Sequence, residues 1–331
     1  MIDSVSLKRV SREIASQEAV TPSRAYWNQR DVIADFLPLA EQLQNAVDCA
    51  GNLSPFQWIQ LFAMTMEFKP DVILDLGRAK GNSACVFTEA ANRLGSCSVI
   101  SLDIENSWEE ESLPNVRKIV PESWFAPLQA LRTDILTFDY DKAFDNKNRV
   151  LIFWDAHGFT IAACVLGRIL PAVKEKRHLV MMHDLSDARY SGEECSAPYG
   201  DQRLWKGENA EETRVLLGHI SSAVAQSVAI VDFTSRNKLT LQSADQDLHS
   251  GFDEAQRAEM RRLLGDQFFS LQGHWFWFSL NEKEGPFYFP RFEPPQQSVT
   301  ATPIPLISRL KMGARIALNR FKPDEIKHLE Y

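Results

Sequence analysis

One aspartate and two glycines follow one another at a spacing that suggests a ligand-binding turn. The run 72–76 is apolar except for Asp75, and Gly77 and Gly81 enclose the turn that leads into the helix-like segment 82–87. A short apolar run that ends at a glycine turn is typical of a buried parallel strand. In α/β proteins, a strand that enters such a turn and then a helix is the usual binding place of a nucleotide. The stretch therefore predicts a nucleotide-binding turn.

The spacing of the two glycines argues against a diphosphate ligand. Dinucleotide-binding folds use Gly-x-Gly-x-x-Gly, so that a pyrophosphate can lie against the backbone and the helix N-terminus. Here Ala79 occupies the position of the second glycine, and the pattern reads Asp-x-Gly-x-x-x-Gly. This pattern resembles motif I of the class I S-adenosylmethionine-dependent methyltransferases, whose ligand carries no phosphate.

The resemblance to these methyltransferases implies roles for acids at the ends of predicted strands. In this fold the ligand lies at the carboxyl ends of the parallel strands, near the switch in strand order. Asp103 ends the second predicted strand, where the family's carboxylate binds the ribose hydroxyls, and Asp134 resembles the acid that pairs with the adenine amine. Asp75 is expected near the ligand's amino group. The residues expected to bind S-adenosylmethionine are Asp75, Gly77, Gly81, Ser83, Asp103 and Asp134.

A single aspartate after a strand gives only weak support for such a role, because loop carboxylates more often cap a helix or face water. The combination of motif I with acids at two strand ends indicates the fold more specifically than any one of these features. Motif I, the acid Asp103 after the second strand and the acid Asp155 after the fourth come in order at suitable separations. The predicted fold is therefore α/β, a Rossmann-like, doubly wound and mostly parallel sheet.

A second stretch resembles one branch of these enzymes, the macrocin O-methyltransferase and cephalosporin-hydroxylase-like families. The resemblance lies in the predicted strand and acid of 150–158, the predicted helix 160–173 and the strand that ends in His-Asp at 178–184. Together with motif I it covers roughly residues 55–190. Residues 1–54 and 191–331 show no resemblance of this kind.

In that branch, acids at the ends of the fourth and fifth strands hold a divalent cation that orients the acceptor hydroxyls. The resemblance implies Asp155 and Asp184 as ligands of Mg²⁺, which prefers carboxylate oxygens and makes a bound alcohol more acidic. Leu185 stands where the paired acid or amide of the branch would follow, which departs from the pattern of the branch, and Asp187 is a candidate to replace that residue.

Two histidines beside these acids are the candidates for a general base. Near physiological pH a neutral imidazole can accept the proton of a hydroxyl while a methyl group transfers to its oxygen. His157 and His183, together with Asp155, form the predicted catalytic set. Each histidine also has a structural interpretation, His157 as a cap of the following helix and His183 as an anchor between its loop and the backbone.

Strand and helix patterns alternate between residue 71 and about residue 280, which favours a parallel sheet with helical crossovers. The predicted strands are 72–76, 98–104, 116–120, 150–154 and 178–182, and the predicted helices are 82–93, 160–173 and about 210–226. Two late strands, 228–233 and 274–280, are expected to form an antiparallel edge hairpin, with one charged helix at 253–264 between them.

The chain divides into three predicted regions. These are an N-terminal arm with helices at 1–68, the α/β domain at 69–282 with an insertion at about 234–272, and a C-terminal extension at 283–331. Residues 1–30 are expected to be irregular, followed by helices at 31–49 and from Pro55. The extension is predicted to form a basic amphipathic helix at 306–321. This helix either docks with a solvated basic face or meets a membrane surface or a partner.

The composition of the 331 residues disfavours several classes of protein. With 44% hydrophobic and 24% charged residues the chain has the make-up of a globular protein, and its net charge of −8 disfavours a nucleic-acid partner. No apolar run is long enough for a spanning helix, and residues 1–20 lack the apolar core of a signal peptide. Five scattered cysteines favour a reduced, cytoplasmic compartment. The helical N-terminus and the aromatic tail are candidate surfaces for a homo-oligomer.

The favoured function is S-adenosylmethionine-dependent methylation of a hydroxyl on a small molecule, such as a sugar or a natural-product glycoside. Aromatic and charged residues of the loop 186–208 are candidates for holding this acceptor, because Trp and Tyr stack on sugar faces; the loop alternatively packs against the tail. A non-catalytic nucleotide-binding or scaffold module on the same fold is the alternative. An NAD-dependent oxidoreductase is less favoured, because Ala79 stands where a glycine would admit the pyrophosphate.

Overall fold

The computed structural model describes residues 22–47, 53–156, 159–183, 224–230, 251–269, 276–280 and 292–294. Seven strands within these stretches form one sheet. They are β1 (Val72–Leu76), β2 (Ser98–Asp103), β3 (Leu128–Arg132), β4 (Arg149–Trp154), β5 (Arg177–Met182), β6 (Val224–Ile230) and β7 (Phe276–Leu280).

The strand order of the sheet is β3-β2-β1-β4-β5-β7-β6. Strands β1 to β5 are parallel, whereas β7 runs antiparallel to both β5 and β6. The order reverses at β1, which pairs with β2 on one side and with β4 on the other. The doubly wound, mostly parallel sheet and the late antiparallel hairpin are therefore confirmed, and the switch point lies between β1 and β4.

Helices connect and cover the strands. They are α1 (Pro22–Ala46), α2 (Pro55–Phe68), α3 (Asn82–Leu94), α4 (Leu113–Val116), α5 (Tyr140–Phe144), α6 (Phe159–Cys164), α7 (Leu170–Val173) and α8 (Glu254–Phe268). A π-helical segment, Trp108–Ser112, leads directly into α4, and a second one, Val165–Ile169, joins α6 to α7. No helix in the described part of the chain combines the length and the apolar character needed to cross a membrane.

The sheet is buried on both faces, because apolar side chains alternate between two cores. Leu74 of β1 packs in one core with Leu166 of the crossover after β4, whereas Ile73 packs in the other core with Trp58 of α2 and Phe87 of α3. All five residues of β1 are buried. Burial on both faces explains why the central strands read as continuous apolar runs.

The third strand lies in a different place from the one predicted. Residues 116–120 do not form a strand: Val116 ends the short helix α4, and β3 follows at Leu128–Arg132. Pro114 in the first turn of a helix and apolar residues three and four apart at 116, 119 and 120 are helical features. Strand β3 was missed because it is an edge strand whose residues are all partly or fully exposed, so it has no apolar run.

The N-terminal helix is longer than predicted. Residues 22–30 are helical rather than irregular, because Pro22 occupies the first position of α1, where proline is well tolerated. Pro38 lies inside this helix on its exposed side and does not end it. The buried face is formed by Tyr26, Ile33 and Phe36, at helical spacing.

The later part of the chain needs one further correction. Residues 224–226, predicted as the end of a helix, begin β6. The charged helix predicted at 253–264 is confirmed as α8, and Asp253 caps it by accepting a hydrogen bond from the backbone N–H of Gln256. The predicted loop 186–208 and the predicted basic helix 306–321 lie outside the described residues. The division into three regions stays a prediction.

Candidate functional site

The turn between β1 and α3 has an unusual backbone. Gly77 and Gly81 both have φ +93°, and Ala79 between them has φ +45°. A Cβ atom at Gly77 would lie 2.9 Å from the backbone oxygen of Asp155, so this glycine allows the turn to pass directly against the chain after β4. A Cβ atom at Gly81 would overlap the ring of Trp108. The space that both glycines leave is thus used by the protein's own atoms.

Asp103 at the end of β2 is part of the same turn. Its Oδ2 accepts a hydrogen bond of 2.7 Å from the backbone N–H of Ala79, and its Oδ1 accepts one of 2.8 Å from the backbone N–H of Glu105. The first of these bonds holds Ala79 in its left-handed conformation. Each carboxylate oxygen can accept more than one hydrogen bond, so the partly buried Asp103 retains acceptor capacity for a ligand.

Asp75 lies beneath this turn and is fully buried. Its Oδ2 accepts a hydrogen bond of 2.6 Å from the Ser101 hydroxyl, while Oδ1 makes no hydrogen bond of normal geometry to the described residues. Burial raises the pKa of Asp75 to about 6, although the hydroxyls of Ser101 and Ser83 and the charge of Arg78 partly offset this effect. The nearby carboxylate of Asp155 raises the pKa further.

One side of the turn is closed by a segment that sequence reasoning did not identify. The buried guanidinium of Arg78 donates to the backbone oxygen of Ser101 at 2.7 Å and to Glu109 at 3.0 Å. Trp108, which is 2% exposed, covers Gly81 from the same segment. Two features of the sequence could have indicated this closure. They are Arg78 inside the motif and the three consecutive glutamates at 109–111.

Two exposed apolar side chains lie near the turn, one next to Asp103 and one on the neighbouring strand β3. Ile104, directly after Asp103, is 66% exposed, and Leu131 at the end of β3 is 36% exposed. These two are the exposed large hydrophobic residues of the described chain. Asp134 follows β3, is exposed, and accepts a hydrogen bond of 2.8 Å from the backbone N–H of Leu136. Acids and an apolar surface therefore lie together at the carboxyl ends of β2 and β3.

Asp155 and His183 meet at the carboxyl ends of β4 and β5. The backbone N–H of Asp155 donates to Leu76 of β1 at 3.0 Å, which places this residue at the switch point. His183 Nδ1 lies 2.9 Å from Asp155 Oδ1, and the two side chains are only 2% and 9% exposed. His183 Nε2 faces the side chain of Gln57 in α2 at 3.2 Å. Both ring nitrogens of His183 are thus engaged.

The structure brings most of the predicted site residues together and leaves two unplaced. Asp75, Gly77, Gly81, Ser83, Asp103 and Asp155 surround the β1–α3 turn or the strand ends next to it, and Asp134 lies after the neighbouring strand. His157 and Asp184 lie outside the described residues. Gln57, Arg78 and Trp108 are the contributors that the sequence analysis missed.

No metal centre is formed by the described residues alone. Within them, no group of three or more His, Cys, Asp or Glu side chains is close enough to hold a metal ion. Of the two predicted Mg²⁺ ligands, only Asp155 is described, and one of its oxygens is occupied by His183.

Comparison with known proteins gives matches among solved structures only. No family model matches the chain, and no curated protein matches it. A structure of CmcI-N160 with SAH is 18% identical, with 43% of this chain and 65% of that chain covered and a TM-score of 0.28. Cofactor-bound Rv0187 from MTB is 14% identical, with coverages of 60% and 85% and a TM-score of 0.41.

The O-methyltransferase TomG from Streptomyces achromogenes, in complex with SAM, is a third match. It is 15% identical, with 70% of this chain and 92% of that chain covered and a TM-score of 0.38. Matches with such low identities and TM-scores do not establish a family for this chain. The strand order and strand directions of the sheet show a doubly wound, Rossmann-like and mostly parallel α/β fold.

Proposed function

We propose that this chain is an S-adenosylmethionine-dependent O-methyltransferase that acts on a hydroxyl of a small molecule. The observation that carries the proposal is the hydrogen bond from Ala79 N–H to Asp103 Oδ2. It joins the glycine turn after β1 and the acid after β2 into one unit, at the edge of the sheet where this class of fold binds its ligands.

The side chains around this unit suit a sulfonium nucleoside. Asp103 would hold the ribose hydroxyls and Asp134 the adenine amine, because both carboxylates can accept further hydrogen bonds. Ile104 is an exposed apolar side chain next to Asp103, and a purine face is an apolar partner for it. The carboxylates of Asp75, Asp103 and Asp155 give the site the negative charge that favours a cation. When bound, S-adenosylmethionine supplies the electrophilic methyl group.

The protein's part in such a reaction is alignment and removal of a proton. Asp155 is held by His183 and is proposed to accept a hydrogen bond from the acceptor hydroxyl. The acceptor oxygen loses its proton to a base as it forms the bond to the methyl carbon, and the carbon–sulfur bond breaks. His157 is the proposed base. His183 has both nitrogens engaged, which favours a positioning role over the base role expected from the sequence.

The test combines binding with turnover. We expect calorimetry on the full chain to detect S-adenosylmethionine and S-adenosylhomocysteine but not NAD, and labelled methyl groups to appear on a hydroxyl acceptor. Binding without transfer to any acceptor of a broad panel would favour a non-catalytic module. Binding of NAD in place of the nucleoside ligands would contradict the proposal.

The acceptor class is a further part of the proposal. A sugar or a natural-product glycoside is proposed because residues 186–208, a loop only by prediction, include residues suited to sugar faces, namely Tyr190, Tyr199 and Trp205. A panel of glycosides and of non-sugar phenols tests this choice. Methylation of phenols alone would remove the sugar from the proposal and leave the methyltransferase in place.

A magnesium ion held by Asp155 and Asp184 is proposed separately, and no step above depends on it. The hard carboxylate donors suit this ion. Calorimetric titration with Mg²⁺ should then show saturable binding in the wild type and not in Asp184→Ala. An absence of binding, with methyl transfer unaffected by a chelator, would remove the ion from the account.

A cytoplasmic location and a homo-oligomeric state complete the proposal. The described cysteines Cys85, Cys97 and Cys164 are buried free thiols, which agrees with a reducing compartment. Fractionation of the source cells and sedimentation analysis of the purified chain are the corresponding measurements.

A further inference from the structure

We infer that Gln57, in helix α2 outside the sheet, is a positioning residue that fixes the tautomer of His183 and thereby the orientation of Asp155. The inference deepens the proposed function and rests on it for its catalytic consequence. It is carried by a chain of four side-chain and backbone groups in which the hydrogen-bond direction can be read at every link.

The first link fixes the orientation of the Gln57 amide. The backbone N–H of Ser54, the residue that precedes α2, lies 2.8 Å from Gln57 Oε1, and the Ser54 hydroxyl lies 2.9 Å from the same atom. A backbone N–H can only donate, so the atom that faces it must be the amide oxygen. The amide nitrogen Nε2 therefore faces the other way, towards His183.

The second link fixes the tautomer of His183. Gln57 Nε2 lies 3.2 Å from His183 Nε2. Because an amide nitrogen only donates, the ring Nε2 must accept with its lone pair, and a neutral imidazole then carries its proton on Nδ1. An imidazolium would place an N–H group against the N–H of Gln57, and this contact is repulsive.

The third link is the hydrogen bond by which this tautomer of His183 orients Asp155. His183 Nδ1 lies 2.9 Å from Asp155 Oδ1, so the ring donates to the carboxylate. Every donor in the chain points the same way, from Ser54 through Gln57 and His183 to Asp155. None of the hydrogen bonds among the described residues uses Asp155 Oδ2, so this is the oxygen available to a ligand.

The buried environment of Gln57 supports a specific hydrogen-bonding role for its side-chain amide. It is 4% exposed, and its neighbours Trp58 and Ile59 are fully buried. A buried amide is costly unless its polar atoms are paired. In α2 the side chain of Gln57 meets this condition by joining the start of its own helix to a residue 126 positions later.

The direct test is the protonation of the His183 ring, observed by nitrogen-15 NMR on the full chain at one fixed pH. We expect a protonated Nδ1 and an unprotonated Nε2, with the signal assigned by its loss in His183→Asn. A ring protonated at Nε2 in the wild type overturns the inference. This measurement needs no substrate, so it is independent of whether the chain transfers methyl groups.

Substitution of Gln57 is the second test. Gln57→Glu keeps an oxygen for Ser54 but presents an acceptor to His183, so the ring should become protonated at Nε2. Gln44→Glu is the matched control, because Gln44 is another buried glutamine, in α1, with no hydrogen bond to His183 among the described residues. Wild-type protonation of the ring in folded Gln57→Glu overturns the inference.

A pair of His183 variants tests the catalytic consequence. The side-chain amide of Asn reaches the place of Nδ1 and that of Gln the place of Nε2, so only His183→Asn keeps a donor for Asp155. We expect kcat to fall roughly 10- to 100-fold further in His183→Gln than in His183→Asn, as for a lost hydrogen bond to a charged group. Affinity for S-adenosylhomocysteine should stay within about threefold of the wild type. Equal kcat values in the two variants would overturn the positioning role, whereas a wild type without any methyl transfer would overturn the proposed function.

Discussion

The two halves of the sheet's carboxyl edge are built in different ways. Around β1 and β2, backbone groups form the site: left-handed residues shape the turn, and Asp103 binds the N–H of Ala79. Around β4 and β5, side chains form it: Asp155 is held by His183, and His183 by Gln57. The backbone geometry of the turn depends on residues that are adjacent in the sequence. The hydrogen bonds among Gln57, His183 and Asp155 instead join distant parts of the chain. Under the proposed function, the first half would bind the cofactor and the second half would act on the acceptor.

Truncation of Asp155 should have the largest effect if the second half carries the chemistry. Asp155→Ala is expected to lower kcat about 100- to 10,000-fold, the range of a lost proton-transfer or orienting group. Its effect on the affinity for S-adenosylhomocysteine should be much smaller. Asp155→Asn is the control that keeps an oxygen for His183 Nδ1–H but removes the charge. Equal losses of turnover and of cofactor affinity would erase the distinction between the halves.

Gly77 tests how the first half depends on its backbone. Gly77→Ala should lower the free energy of unfolding by roughly 2–5 kcal/mol, because the new Cβ adds left-handed strain and meets the backbone of Asp155. Gly95→Ala is the matched control, since Gly95 also has a left-handed φ, of +75°, but has nothing within 4 Å of the added Cβ. Urea unfolding of both variants measures the difference. Similar losses at the two sites would show that the close approach at Gly77 is unimportant.

The buried carboxyl between the two halves predicts a dependence on pH. Because burial raises the pKa of Asp75 from 3.8 to about 6, the folded protein holds this proton more tightly than the unfolded chain does. Stability should therefore fall as the pH rises from about 4 to about 6, by about 3 kcal/mol in total.

Asp75→Asn isolates this contribution from the other titrating groups. Relative to the wild type, the variant should gain stability over the same pH range and show a constant difference above it. Urea unfolding at a series of pH values gives both curves. Parallel curves for the two proteins would mean that Asp75 titrates in the folded state as it does in the unfolded chain.

Truncation of Asp103 should cause the smallest change in free energy. It should weaken cofactor binding more than it lowers turnover, which is the reverse of the effect expected for Asp155→Ala. Asp103→Ala is expected to weaken the binding of S-adenosylhomocysteine by about 1–3 kcal/mol, the scale of a lost charged acceptor. At saturating cofactor the turnover should change less than in Asp155→Ala. Calorimetry and initial rates on the same two preparations give the comparison, and an unchanged affinity would contradict the assigned role.

The sequence predicted those parts of the molecule that depend on neighbouring residues. The runs at 72–76 and 150–154 read as strands because burial on both faces makes them apolar, and Gly77 and Asp103 follow directly from the motif and the strand end. The edge strand β3 was missed because its residues are all partly or fully exposed and form no apolar run. Residues 22–30 were missed because the proline that begins α1 has the appearance of a turn signal.

The hydrogen bonds that join Gln57, His183 and Asp155 could not be predicted from the sequence, and the reason is physical. The contact between Gln57 and His183 joins residues 126 positions apart, and no local pattern marks a glutamine in an apolar helix as a partner for a histidine. The packing of Trp108 over Gly81 is similar, because it depends on the path of the chain after β2. Both contacts require the fold before they can be recognised.

A crystal structure of the full chain with S-adenosylhomocysteine would show whether Asp103 and the β1–α3 turn bind the nucleoside. We expect the ribose hydroxyls within hydrogen-bond distance of the Asp103 carboxylate, with the nucleoside lying beside Ile104 and the turn that contains Ala79. A ligand bound elsewhere, or one beside the turn whose ribose does not contact Asp103, would contradict this expectation.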